Sequence, residues 1–103
     1  MIKVSVFYPN GPQAKFDMDY YCQRHIPMVQ RLVGAALKDT AVEKGLGGAS
    51  PGVAPSFLAL GHLTFDSVES FQASFAAHSR EIVADVANYT NIQPIIQLSE
   101  IMI

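Results

Sequence analysis

The chain has 103 residues, half of them apolar and 16% charged, with a formal net charge of −2. That length and balance fit one globular domain over 1–103 and exclude disorder. Its seven lysines and arginines are scattered, so no cationic stripe is offered to nucleic acid or to an anionic membrane surface.

Ile2, Val4 and Val6 alternate over residues 2–8 and predict a first strand, which the breaker Pro9-Asn10-Gly11-Pro12 ends. The start of the chain lacks a long apolar signal core, and Cys22 has no partner for an internal disulfide, so a cytoplasmic location is expected. A helix follows. Asp17 is placed to cap it, its pattern runs to Gly34, and Pro27 is expected to interrupt it. At about 100° per residue, Met18, Cys22, His25, Val29 and Leu32 share the side turned to the core. Residues 37–45 read as a second strand leading into Gly45 to Gly52, too rich in Gly and Pro for regular structure. Without the Lys-Ser/Thr of a phosphate loop, that run is a connector, or else a lid over a pocket.

Residues 56–65 predict a third strand, with Phe57, Ala59, Gly61, Leu63 and Phe65 on one face and Leu58, Leu60, His62 and Thr64 on the other. Asp66 with Glu69 suggests a capping box that opens a second helix near Ser67, whose stripe is Val68, Phe71, Phe75, Ser79, Ile82 and Val86. Pro94 leads into a last strand, residues 95–103, apolar on both faces and so interior in the final assembly. The order βαββαβ with short connections predicts an α+β, ferredoxin-like sandwich: a four-stranded antiparallel sheet with helices on one face. The other face is left bare. With Leu58, Leu60, Ile96 and Leu98 or their neighbours on it, a homodimer packed sheet against sheet is expected.

His25 is the candidate for chemistry. Pro27 has no N–H, so the carbonyls of Cys22 and Gln23 lose their usual partners, and a titratable ring stands beside them. That ring either floors a pocket or is a core histidine bonded to a freed carbonyl. Under apolar cover the charged imidazole is disfavoured, which leaves a neutral base at pH 7. Such a base could take a proton from a carbon next to a carbonyl, provided a donor stabilises the enolate oxygen. Tyr21, one turn before His25, is the first candidate donor, with Tyr20 and Tyr8 next. Ala59 and Gly61 either admit a close helix or leave a hollow lined by Phe57, Phe65, Phe71 and Phe75, aromatics that equally suit a solid core. Cys22 is set aside as a nucleophile because a buried thiol is inert. His25, His62 and His78 lie in separate elements without ligand spacing, so neither a metal nor another cofactor is expected, and His62 reads as a satisfied interior histidine.

Three segments carry a family resemblance: FDMDYYCQRHIPMV, residues 16–29, with its His25-Ile26-Pro27 triplet; FDSVESFQASFAAHSREIVADVANYTNI, residues 65–92; and the closing PIIQLSEI. They resemble the EthD-like proteins of the dimeric α+β barrel group, named for ethyl tert-butyl ether degradation. The resemblance implies a ferredoxin-like protomer and a dimer whose two sheets pack into a barrel. Members of the family stand beside oxidative degradation of ethers and other small organics. Some relatives isomerise muconolactone-type lactones, and others act on polyketide intermediates without a bound cofactor. The position they use for acid–base work corresponds to His25.

Two functions follow as expectations. The first is a cofactor-free enzyme of small-molecule catabolism or secondary metabolism, isomerising, dehydrating or decarboxylating an apolar carbonyl compound with His25 as general acid and base. The second is a non-catalytic accessory protein that binds a hydrophobic small molecule alongside an oxidative degradation pathway.

Overall fold

Period-two alternation builds a sheet whose two inner strands are the first and the third. The computed structural model describes residues 1–103. Strands β1 (Ile2–Pro9), β2 (Asp39–Lys44), β3 (Phe57–Phe65) and β4 (Ile95–Glu100) pair antiparallel in the order β2-β3-β1-β4. Helices α1 (Met18–Tyr20), α2 (Ile26–Val33), α3 (Val68–Ala76) and α4 (Ser79–Asp85) complete the ferredoxin-like α+β sandwich. Ile2, Val4, Val29, Val33, Leu63, Phe65 and Ile82 form one buried cluster between sheet and helices. A second one joins Tyr8, Tyr21, Ile26, Ala59 and Tyr89.

The expected helical break at Pro27 does not occur. Between α1 and α2 the residues Tyr21–His25 form a π turn, in which the Ile26 N–H reaches the Tyr21 carbonyl. Pro27 then falls in the first turn of α2, directly after the π turn, and the chain stays helical through it. The wider turn shifts the phase of the helix. The side facing inward is therefore Tyr21, His25, Ile26, Val29 and Val33, and Cys22 is exposed instead of sharing it. Asp17 does cap this segment, its Oδ1 accepting from the Tyr20 N–H at 3.0 Å, and Gly34 ends it at φ +70°.

Three further expectations are corrected. The second helix is divided at Ala77 and His78 into α3 and α4, and its cap is Ser67, whose hydroxyl accepts from the Ser70 N–H at 3.1 Å. Asp66, expected as the cap, faces Lys38 at 3.8 Å instead. The last strand ends at Glu100 and lies at a sheet edge, where Ile96 and Leu98 pair with Val6 and Val4 and so point to the helix side. Both stay open, 58% and 40% exposed, because the helices leave this edge uncovered.

The opposite face carries no helix. Leu60 lies across from Phe7 there, beside a polar row in which Ser5 Oγ meets His62 Nδ1 at 2.9 Å and His62 Nε2 meets Glu43 Oε1 at 3.2 Å. No helix of the chain is long and apolar enough to cross a membrane.

Candidate functional site

The π turn aims His25 into the molecule, and the end of α4 supplies its partner. His25 is 5% exposed, and its Nδ1 lies 2.8 Å from Asp85 Oδ2. The other carboxylate oxygen, Oδ1, accepts from the Tyr20 hydroxyl at 2.7 Å and from Asn88 Nδ2 at 3.0 Å. A carboxylate at a helix C-terminus opposes the backbone dipole, so this acid is held against local preference by its three donors.

These bonds decide the protonation states. Burial pushes the Asp85 carboxyl up, but the hydrogen bonds from Asn88, His25 and Tyr20 outweigh it and hold the group below its ordinary value of 3.8. Burial also depresses the His25 imidazole below its ordinary 6.5, more strongly than Asp85 raises it. At neutral pH the pair is thus an ionised carboxylate and a neutral ring. An ionised carboxylate only accepts, so the imidazole proton sits on Nδ1. Nε2 keeps its lone pair. It has no protein hydrogen bond, and no sealed polar side-chain atom lacks a partner, so Nε2 is open to the cavity that His25 lines.

That cavity has a volume of about 520 Å³ and lies between the sheet and α2, α3 and α4, within the size range of small-molecule sites. Its inner end is aromatic. Tyr21 stacks flat on His25, with centroids 5.5 Å apart and planes at 14°, and the Tyr89 ring stands 4.6 Å from the imidazole. The hydroxyls of Tyr8 and Tyr89 meet at 2.7 Å. One of the two donates to the other, the Tyr21 hydroxyl stands within hydrogen-bond reach of Tyr8, and the three phenols together keep at least one proton beyond those they can give to one another. Burial raises all three tyrosines above their ordinary value, so they act as donors and stay protonated at neutral pH.

Of the residues expected at the site, His25, Tyr21, Tyr8, Gly61, Phe71 and Phe75 line the cavity. Tyr20, Phe57 and Ala59 do not. Tyr20 is half-buried beneath the Arg24 guanidinium and touches the site from behind, through its hydrogen bond to Asp85 and by stacking on the Tyr89 ring at 6.2 Å. Phe57, beside the register slip at Tyr8 and Pro9, packs on Phe7 at 5.3 Å. Ala59 is wholly buried in the core cluster with Tyr8 and Tyr21. Gly61 serves close approach: a Cβ there would collide with the Tyr21 hydroxyl. His25 bonds to no freed carbonyl. Asp85, Asn88 and Tyr89 were missed by the pattern of the sequence, although an acid at the end of a helix followed by Asn three residues on was a visible irregularity. No group of three or more His, Cys, Asp or Glu is gathered to hold a metal.

The family model for the EthD domain matches residues 11–93. Among solved structures, an EthD-like protein from Ralstonia eutropha is 46% identical, with a TM-score of 0.95 over 99% of this chain and 92% of that one. An ethyl tert-butyl ether degradation (EthD) family protein from Bacillus halodurans is 20% identical, with a TM-score of 0.68 over 99% of each chain. A dimeric ferredoxin-like protein from Thermobifida fusca, 16% identical, shares the fold with a TM-score of 0.59 over 97% of this chain and 90% of that one. No curated protein matches. By the family model and by its relative in Ralstonia, the chain belongs to the EthD family.

Proposed function

We propose that the protein is a cofactor-free proton-transfer enzyme acting on an apolar carbonyl compound, with His25 as its general base and acid. One observation carries this reading. Asp85 fixes the proton of His25 on Nδ1, which leaves the Nε2 lone pair facing an apolar cavity of about 520 Å³. A carbon acid whose carbonyl lies against the Tyr8–Tyr89 pair would give its proton to Nε2, while the spare phenolic proton stabilises the enolate oxygen. The imidazolium formed is stabilised by the carboxylate behind it and returns the proton to another carbon. Tyr21, expected as the donor, holds the imidazole plane by stacking in this reading. Isomerisation, dehydration and decarboxylation all pass through such an enolate.

The natural substrate is a metabolite of small-molecule catabolism or secondary metabolism, and 2-tetralone is a workable surrogate with acidic C–H bonds beside its carbonyl. Exchange of those protons in deuterated water, followed by proton NMR, should be accelerated by the protein and fall by about 10²- to 10⁴-fold in His25→Gln. Equal exchange by the variant would end this reading. Binding of the ketone without exchange would favour an accessory protein that carries a hydrophobic molecule in the same cavity.

The bare sheet face supports a homodimer. Leu60 and Phe7 lie on the helix-free side, and a second copy packed sheet against sheet would cover them.

A further inference from the structure

The polar groups that line the cavity can be counted one by one, and most are already committed. Thr90 Oγ1 donates to the Lys15 carbonyl and accepts from the Ile92 N–H at 3.1 Å. Asn91 uses its oxygen on the Lys15 N–H and its amide on the Gln13 carbonyl. What remains for a ligand is His25 Nε2 and, at the inner end, the hydroxyl protons that Tyr8, Tyr21 and Tyr89 do not spend on one another, with the exposed Gln93 at the rim. No lysine or arginine reaches the lining. The guanidinium on the neighbouring helical segment, Arg24, lies over the Tyr20 ring.

We infer that the cavity selects an uncharged ligand with a single polar head, one carbonyl or hydroxyl carried on an apolar ring or chain, and rejects the corresponding carboxylate. This rests on the reading of His25 as a base and deepens it. An anion seated on Nε2 would face Asp85 across the imidazole, charge against like charge. It would also leave water for walls of Phe71, Phe75, Ile82 and Val86 with no cation to meet it. Burying an unpaired carboxylate is among the most expensive moves available to a binding site, whereas a ketone needs one donor and finds it. Free keto acids are thereby removed as substrates, and with them decarboxylation. Isomerisation and dehydration of neutral compounds remain.

The test compares 2-acetonaphthone with 2-naphthoate, which share ring and shape and differ in charge, by calorimetric titration at pH 7.5. The ketone should bind roughly tenfold tighter or more. Placing a cation at the rim by Val83→Lys, a position 63% exposed that tolerates a long polar side chain, should raise the affinity for naphthoate relative to the ketone. Naphthoate binding as tightly as the ketone, naphthoate binding with uptake of a proton, or no binding of either probe at millimolar concentration would each overturn the inference. Its failure is separable from failure of the base. A protein that prefers the ketone but exchanges no tetralone protons keeps the charge selection and loses the catalysis. One that exchanges them while preferring naphthoate does the reverse.

Discussion

His25 gives one edge of its ring to Asp85, 60 residues further along the chain and 2.8 Å away, and keeps the other edge for the cavity. The carboxylate is what makes the imidazole directional. Without it the two tautomers would compete, and the one with its proton on Nε2 cannot act as a base. Asp85→Asn should therefore lower the rate of tetralone exchange by about 10²- to 10⁴-fold while leaving ketone affinity within a few-fold of the parent. An unchanged rate would show that the acid has no part in orienting the ring.

Exchange and stability should both depend on pH, with the same sign. The base form of His25 is lost as pH falls through its depressed folded value, so kcat/KM for exchange should rise with pH below 6.5 and be level above it. A histidine whose folded value lies below its unfolded one contributes stability that is complete above about 6.5 and declines as pH drops from there toward the folded value, because the unfolded chain binds the proton more readily. Asp85, also depressed, adds a second loss as pH falls through its own ordinary 3.8. Thermal unfolding from pH 8 to pH 5 should show Tm falling below about 6.5, with a smaller fall in His25→Gln. A Tm that rises on acidification through that window would contradict the depressed imidazole.

Gly61 and Tyr21 form a second testable pair. Because a Cβ at position 61 would meet the Tyr21 hydroxyl, Gly61→Ala should destabilise the protein by about 1–3 kcal/mol, read from chemical denaturation. Adding Tyr21→Phe removes the atom in the way, so the double variant should recover part of that loss relative to the sum of the two single changes. Simple additivity would mean that the collision is relieved elsewhere.

Much of this molecule was readable from its residues, and the exceptions have causes. Period-two and helical stripes placed the four strands and their order, because β1 and β3 each bury one face consistently. Asp17 and Gly34 marked the ends of the first helical segment through local chemistry alone. Cys22 was misplaced because a helical wheel assumes a constant turn, and the π turn at Tyr21–His25 breaks that assumption. Whether Ile96 and Leu98 or their neighbours lie on the bare face stayed open, because a strand apolar on both sides gives no parity signal; the register with Val6 and Val4 turns these two toward the helices. His25, Phe71 and Phe75 could be proposed from spacing. The contacts of His25 with Asp85 and Tyr89 could not, since they join elements 60 or more residues apart and depend on how α4 docks.

The bare face makes its own prediction. Multi-angle light scattering at micromolar concentration should give twice the mass of the 103-residue chain, and Leu60→Glu, which puts a charge across from Phe7, should shift it toward the monomer. A parent protein that is monomeric under these conditions would remove the sheet-to-sheet dimer.

The central claim is the state of one imidazole, and nitrogen-15 NMR of the histidine side chains reads it directly. Titrated from pH 8 to pH 4, His25 should show its proton on Nδ1, a bare Nε2, and a midpoint below 6.5. A ring that carries its proton on Nε2, or that titrates above 6.5, would contradict the account.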